Sequence, residues 1–114
     1  MKISQRETDG VVILELRGQL TMGEGDIELR DAIIKLVEAG KKKILIDLGR
    51  VTYLDSAGLG ELIRCYTTVS NRQGKLKLLN LTKKTKDLLT ITKLITVFDS
   101  YEDEKEAIGS FSEA

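Results

Sequence analysis

Apolar residues along this chain change their period several times, and each change marks an element. Ile3 to Arg6 is short and polar, which suits an edge strand, and Asp9-Gly10 is a hairpin turn pair. Val11-Val12-Ile13-Leu14-Glu15-Leu16 is apolar and β-branched at its start and predicts a strand. Gly18, Gly23 and Gly25 then punctuate a loop. From Asp26 the period becomes helical: Leu29, Ala32, Ile33 and Leu36 form a stripe widened by Ile27, Ile34 and Val37. Asp26 is the expected N-cap of this helix and Gly40 its stop. Ile44-Leu45-Ile46-Asp47-Leu48 reads as an inner strand, Gly49-Arg50 as a turn, and Val51 to Leu54 as a segment carrying the chain to Asp55.

Leu59, Leu62, Ile63, Tyr66 and Val69 recur at three and four, predicting a second helix from Ala57 to about Arg72 that ends within Asn71 to Gly74. Lys75 to Leu79 follows as a strand. Thr82 is placed to cap a short helix through Leu88 and Leu89, and Thr96-Val97-Phe98 reads as a last strand. Ser100 with Asp103 resembles a capping box opening a terminal helix, in which Ala107, Ile108 and Phe111 face the core. The last four residues are expected to fray. The order is β-β-α-β-α-β-α-β-α. One hairpin followed by strand–helix–strand units predicts an α/β fold: a small mixed sheet with helices packed largely on one face.

Composition narrows the chemistry. The 114 residues suit one domain, 1–114, with no linker or repeat. Eighteen basic and eighteen acidic residues give no net charge, which argues against direct nucleic-acid binding. Histidine is absent and cysteine occurs once, removing His-based acid–base catalysis, the Ser-His-Asp triad, the usual zinc sites and any intrachain disulfide. No segment resembles a signal peptide or a membrane span, so a cytoplasmic protein without a membrane role is expected.

Asp55-Ser56-Ala57-Gly58-Leu59-Gly60 is the unusual stretch, at a handover from strand to helix. A helix start offers free N–H groups and a positive dipole end, so a phosphate on Ser56 would meet a favourable field. Glycine inside a helix costs roughly 1 kcal/mol relative to alanine, and two of them ask for a reason; close approach of another chain is one. Spacing alone favours the plainer reading, a capping Asp55 or Ser56 and glycines that serve helix–sheet packing. A nucleophile elbow would need glycine where Leu54 stands, and a base that the chain lacks. Gly58 and Gly60 lack the third glycine of a dinucleotide loop, and no Walker-type lysine follows a glycine loop.

With Ile44-Leu45-Ile46-Asp47-Leu48 before it, Val51-Thr52-Tyr53-Leu54-Asp55-Ser56-Ala57-Gly58-Leu59-Gly60 resembles the signature of the STAS domain, and more narrowly of bacterial anti-sigma factor antagonists. The likeness extends through Gly18-Gln19-Leu20, Leu76 to Asn80, and Asp87-Leu88-Leu89 to Val97-Phe98. It implies a non-enzymatic switch in transcription regulation. The unphosphorylated protein binds an anti-sigma factor that is also a serine kinase, and so frees a sigma factor. Phosphorylation of the serine matching Ser56 ends binding, and a serine phosphatase restores it. No cofactor is implied; ATP and Mg²⁺ belong to the kinase. The contact set is Asp55, Ser56, Ala57, Gly58, Leu59 and Gly60, with Thr21 and Glu24 from the loop Gly18 to Asp26, on a monomer or weak dimer.

Thr21 departs from the pattern, since many relatives carry an aspartate there; Glu24 or Asp26 is the candidate replacement. Two rivals stand beside this reading: a scaffold-type STAS protein of a stress-signalling complex, and a nucleotide-binding STAS module. Lys83, Lys84, Lys86 and Lys93 read as a solvated helix face, with docking of an acidic partner as the alternative. Cys65 is expected at a helix boundary, and Tyr53 and Tyr66 at the rim of the core.

Overall fold

The computed structural model describes residues 1–112. The expectation that the last four residues fray falls partly on residues 113–114, outside that range; Phe111 is buried. Strands β1 (Lys2–Thr8), β2 (Val11–Leu20), β3 (Lys43–Leu54), β4 (Lys75–Leu79) and β5 (Ser100–Tyr101) form one sheet in sequence order. β1 and β2 are antiparallel, joined at Asp9-Gly10, where both φ angles are positive (52° and 79°) as a two-residue hairpin turn of this hand requires. The remaining pairs are parallel, with helices α1 (Gly25–Glu38), α2 (Ser56–Ser70) and α3 (Lys83–Ile91) between strands and α4 (Glu104–Ser110) after β5. The expected element order and mixed sheet are both present.

Strand alternation sends the apolar residues to two faces. Val12, Leu14, Ile44, Ile46, Leu76 and Leu78 join Leu29, Ile33, Leu62, Val69 and Leu89 of the first three helices in the main core. Val11, Ile13, Leu45 and Leu79 point the other way, where Ala107 and Phe111 of α4 cover them. On that second face Lys77 is buried, donating to the Ser110 carbonyl (3.2 Å) and hydroxyl (2.9 Å) with its ammonium over the Phe111 ring. A buried ammonium needs such partners, and here they fasten α4 to β4.

Several local expectations are overturned. Gly49-Arg50 is not a turn: β3 runs through it with two register irregularities against β2, each adding a residue to β3. Because of the first, Val51 faces the same core as Leu48 despite standing three positions later. Asp26 does not cap α1; Glu24 holds the cap position without a side-chain bond, and Asp26 lies buried inside the first turn. Ile27 and Ile34 sit outside the buried stripe and are exposed.

Gly40 does end α1, with positive φ. The Gly40 amide donates to Val37 and the Lys41 amide to Leu36, each at 3.0 Å, in the 5→2 and 6→1 pattern of a Schellman motif. Thr96-Val97-Phe98 forms no strand: turns fold Leu94 and Ile95 back onto Leu89, and Phe98 packs edge-on against Tyr66 with ring centroids 5.3 Å apart. The strand begins at Ser100 instead, so Ser100 does not open the capping box; Asp103 caps α4 alone.

Candidate functional site

Parallel strands β2 and β3 end side by side at the Leu20–Leu54 pair, and their chains then diverge. The Thr21 carbonyl gathers the next loop, accepting from the amides of Glu24, Gly25 and Asp26 at 3.1 to 3.3 Å. Asp55, the first residue beyond β3, has extended backbone and caps α2. Its Oδ1 accepts from the Gly58 amide at 2.8 Å and its Oδ2 from the Met22 amide at 3.1 Å. One carboxylate therefore ties the α2 start to the β2–α1 loop. These two amides, Gly58 first, hold the Asp55 carboxyl below its ordinary pKa.

Ser56 occupies the first helical position and is exposed, and its hydroxyl is left out of the cap that Asp55 supplies. The Asp55 charge already takes the Gly58 amide, one of the N–H groups that a phosphate on Ser56 was expected to enjoy. Such a phosphate would instead share the helix start with a carboxylate, and the local field is less welcoming than the dipole alone implies.

The two glycines play different parts. Gly58 is buried, and a Cβ there would overlap the Leu20 carbonyl oxygen and come within 2.9 Å of both the Leu20 carbonyl carbon and Leu54 Cδ1. Its close approach is to this chain's own β2, not to a partner. Leu59 likewise turns into the core, so neither residue offers a contact surface. Gly60 is exposed with open space around its Cα, and Ala57 is half-buried.

Glu24 is exposed at the tip of the opposing loop. Asp26 is committed to the backbone, its Oδ1 accepting from Gly23 at 2.9 Å and Ile27 at 2.8 Å. Of the two acids that stood in for the one missing at Thr21, Glu24 alone faces solvent.

Met22 and Tyr53 were missed as members of this surface. Met22 is 76% exposed and Tyr53 57%, on the loop and strand that flank Asp55. An apolar residue within a glycine-rich loop was the available signal for Met22; Tyr53 is turned outward by the second β3 irregularity. Cys65 is buried in the core rather than at a helix boundary, 3.6 Å from Glu61 Oε2, and burial together with that carboxylate pushes its thiol far above the ordinary range. Arg30 reaches across from α1 to bind the same buried Glu61 at 2.8 Å, locking α1 to α2 behind the site. Among the described residues no helix is long and apolar enough to cross a membrane.

Comparison with known proteins fits this geometry. The STAS domain family matches residues 2–107. The anti-sigma-B factor antagonist of Bacillus subtilis is 31% identical over 97 residues, spanning 85% of each chain. Among solved structures, an anti-sigma factor antagonist from Mycobacterium paratuberculosis aligns with a TM-score of 0.86 at 23% identity, over 98% of this chain and 94% of that one. The Bacillus protein SpoIIAA aligns with a TM-score of 0.74 in both its unphosphorylated form (20% identity, 96% of each chain) and its phosphorylated form (21% identity, 96% of this chain and 98% of that one). At such identities the structural likeness speaks for the fold, while the family match and the B. subtilis relative speak for descent. The chain belongs to the STAS domain family, among its anti-sigma factor antagonists.

Proposed function

We propose that this protein is an anti-anti-sigma factor switched at Ser56. Unphosphorylated, it binds and sequesters an anti-sigma factor with serine kinase activity, and a sigma factor is released. Phosphorylation of Ser56 by that partner ends the interaction, and a serine phosphatase resets it. The chain itself performs no catalysis. The observation that carries this reading is an exposed serine hydroxyl at the first position of α2, free of the cap and flanked by solvent-facing Gly60, Met22, Tyr53 and Glu24.

The surface suits a partner that must both hold the site and act on it. Met22 and Tyr53 supply apolar area for binding, while the absence of a side chain at Gly60 leaves an approach to the hydroxyl. The Asp55 clamp fixes the α2 start relative to the β2–α1 loop, so the partner meets a preorganised surface and loses less entropy on binding. Phosphate adds a charge of about −1.5 to −2 beside Asp55. Buried against a partner without a matching cation, that charge opposes association. SpoIIAA keeps this fold in both forms, which supports a switch acting on the surface and not on the architecture.

Incubation with the cognate anti-sigma kinase and ATP, followed by peptide mapping, tests the assignment. Phosphate is expected on the peptide bearing Ser56 and absent from Ser56→Ala. Undiminished phosphorylation of Ser56→Ala would overturn it.

A further inference from the structure

Between the last residues of β3 and the first turns of α3 lies a cleft of about 560 Å³, within the roughly 300–1,000 Å³ typical of small-molecule pockets. Val51, Tyr53, Leu54 and Leu88 make its walls apolar, and Lys83 and Lys84 stand at its rim. Among the described residues no carboxylate lines it. Lys83 pairs with Asp87 at 3.1 Å on the exposed flank of α3, whereas Lys84, among the described residues, has no acid within salt-bridge distance. The irregular end of β3 makes the opening: it turns Tyr53 outward to 57% exposure while Val51 and Leu54 remain against the core.

We infer that this cleft binds one free fatty carboxylate of medium chain length, its tail along Tyr53, Leu54 and Leu88 and its head at Lys84. Charge decides the occupant. An apolar trough whose lining includes the exposed Lys84, without an acid partner among the described residues, matches a ligand that is apolar along its length and anionic at one end. A purely polar anion would leave the trough unfilled, and a neutral or cationic chain would gain nothing from the exposed Lys84 ammonium. The occupant would lie two residues from Ser56, along the strand that ends at Leu54, yet its binding requires nothing of the phosphorylation cycle.

Titration of the ¹⁵N-labelled full chain with decanoate, kept below its micelle concentration, tests this. Saturable amide shifts confined to residues 51–54 and 82–88 are expected. Lys84→Glu should weaken binding by about 5-fold or more, while leaving the fold intact, because an acid suits the first turn of α3. Lys86→Glu makes the same charge change on the same helix outside the cleft and should leave affinity unchanged. Tyr53→Ser, at a half-exposed position, should also weaken binding. Decanol and inorganic phosphate should each bind at least several-fold more weakly than decanoate. The inference fails if shifts are non-saturable or scattered, if Lys84→Glu and Lys86→Glu behave alike, or if phosphate alone reproduces the response.

Discussion

Replacing Gly58 and Gly60 by alanine, one at a time, should move stability in opposite directions. Both lie in the first turns of α2, where glycine to alanine gains up to about 1 kcal/mol of helix propensity. At Gly60 no atom of the described residues lies within 4 Å of the new Cβ, so the gain should be realised. At Gly58 the methyl overlaps the Leu20 carbonyl oxygen and sits 2.9 Å from Leu54 Cδ1. The carbonyl belongs to strand backbone paired with Leu54, so it has no rotamer into which to swing away. Overpacking of this kind costs roughly 1–3 kcal/mol, and backbone obstruction belongs at the upper end, leaving a net loss of about 2 kcal/mol. For 114 residues, 1 kcal/mol corresponds to about 4 °C in Tm. Gly58→Ala should therefore melt about 8 °C below the parent and Gly60→Ala up to about 4 °C above it, by calorimetry or circular dichroism. A Gly58→Ala protein within about 2 °C of the parent, or two shifts of the same sign, would refute the close-approach argument.

Three further outcomes follow from the same geometry. The depressed Asp55 pKa means that the unfolded state binds the extra proton; the resulting stability is present above the ordinary carboxylate range and is lost as pH falls through the folded value. Asp55→Asn, which keeps a capping side chain, should accordingly lose less Tm than the parent between pH 5 and pH 3; equal losses would count against the clamp. In the phosphorylated protein, the second ionisation of the Ser56 phosphate, about 6 when unperturbed, should fall in Asp55→Asn by ³¹P titration, because a neighbouring negative charge has been removed. Lys77→Ala strips the ammonium from Ser110 and the Phe111 ring and should cost about 2 kcal/mol, with faster amide exchange in α4 than in α2; uniform loosening would show that α4 is not held separately.

Legibility in the sequence followed the range of the interaction. Asp9-Gly10, Gly40 and Thr82 were readable because a turn, a helix stop and a cap are decided within a few residues; the Thr82 hydroxyl does accept from the Thr85 amide at 3.2 Å. Gly49-Arg50 looks like a turn locally but lies in a strand, because pairing with β2 on both sides of it sets its course and irregularities absorb the misfit. Thr96-Val97-Phe98 has strand composition, yet Phe98 gains more as a plug against Tyr66 while the neighbouring backbone folds onto α3.

The site divides the same way. Asp55 as cap and Ser56 as an exposed first-turn hydroxyl follow from order along the chain. The burial of Gly58 and Leu59 against β2, the withdrawal of Asp26 into its own loop and the outward turn of Tyr53 depend on where strand ends meet in space. For Gly58 the plain packing account of the glycine pair was the right one; for Gly60 openness remains.

A switch at Ser56 stands or falls most directly on the affinity of the two phosphorylation states for the anti-sigma kinase. Calorimetric titration should be run on the unphosphorylated and Ser56-phosphorylated proteins after circular dichroism and melting have verified that both are folded alike. A loss of roughly 1.5 to 3 kcal/mol on phosphorylation is expected, about 10- to 150-fold in Kd, with Ser56→Asp falling between the two because it carries less charge and fewer acceptor oxygens. Equal affinities in two equally folded forms would contradict the switch at Ser56.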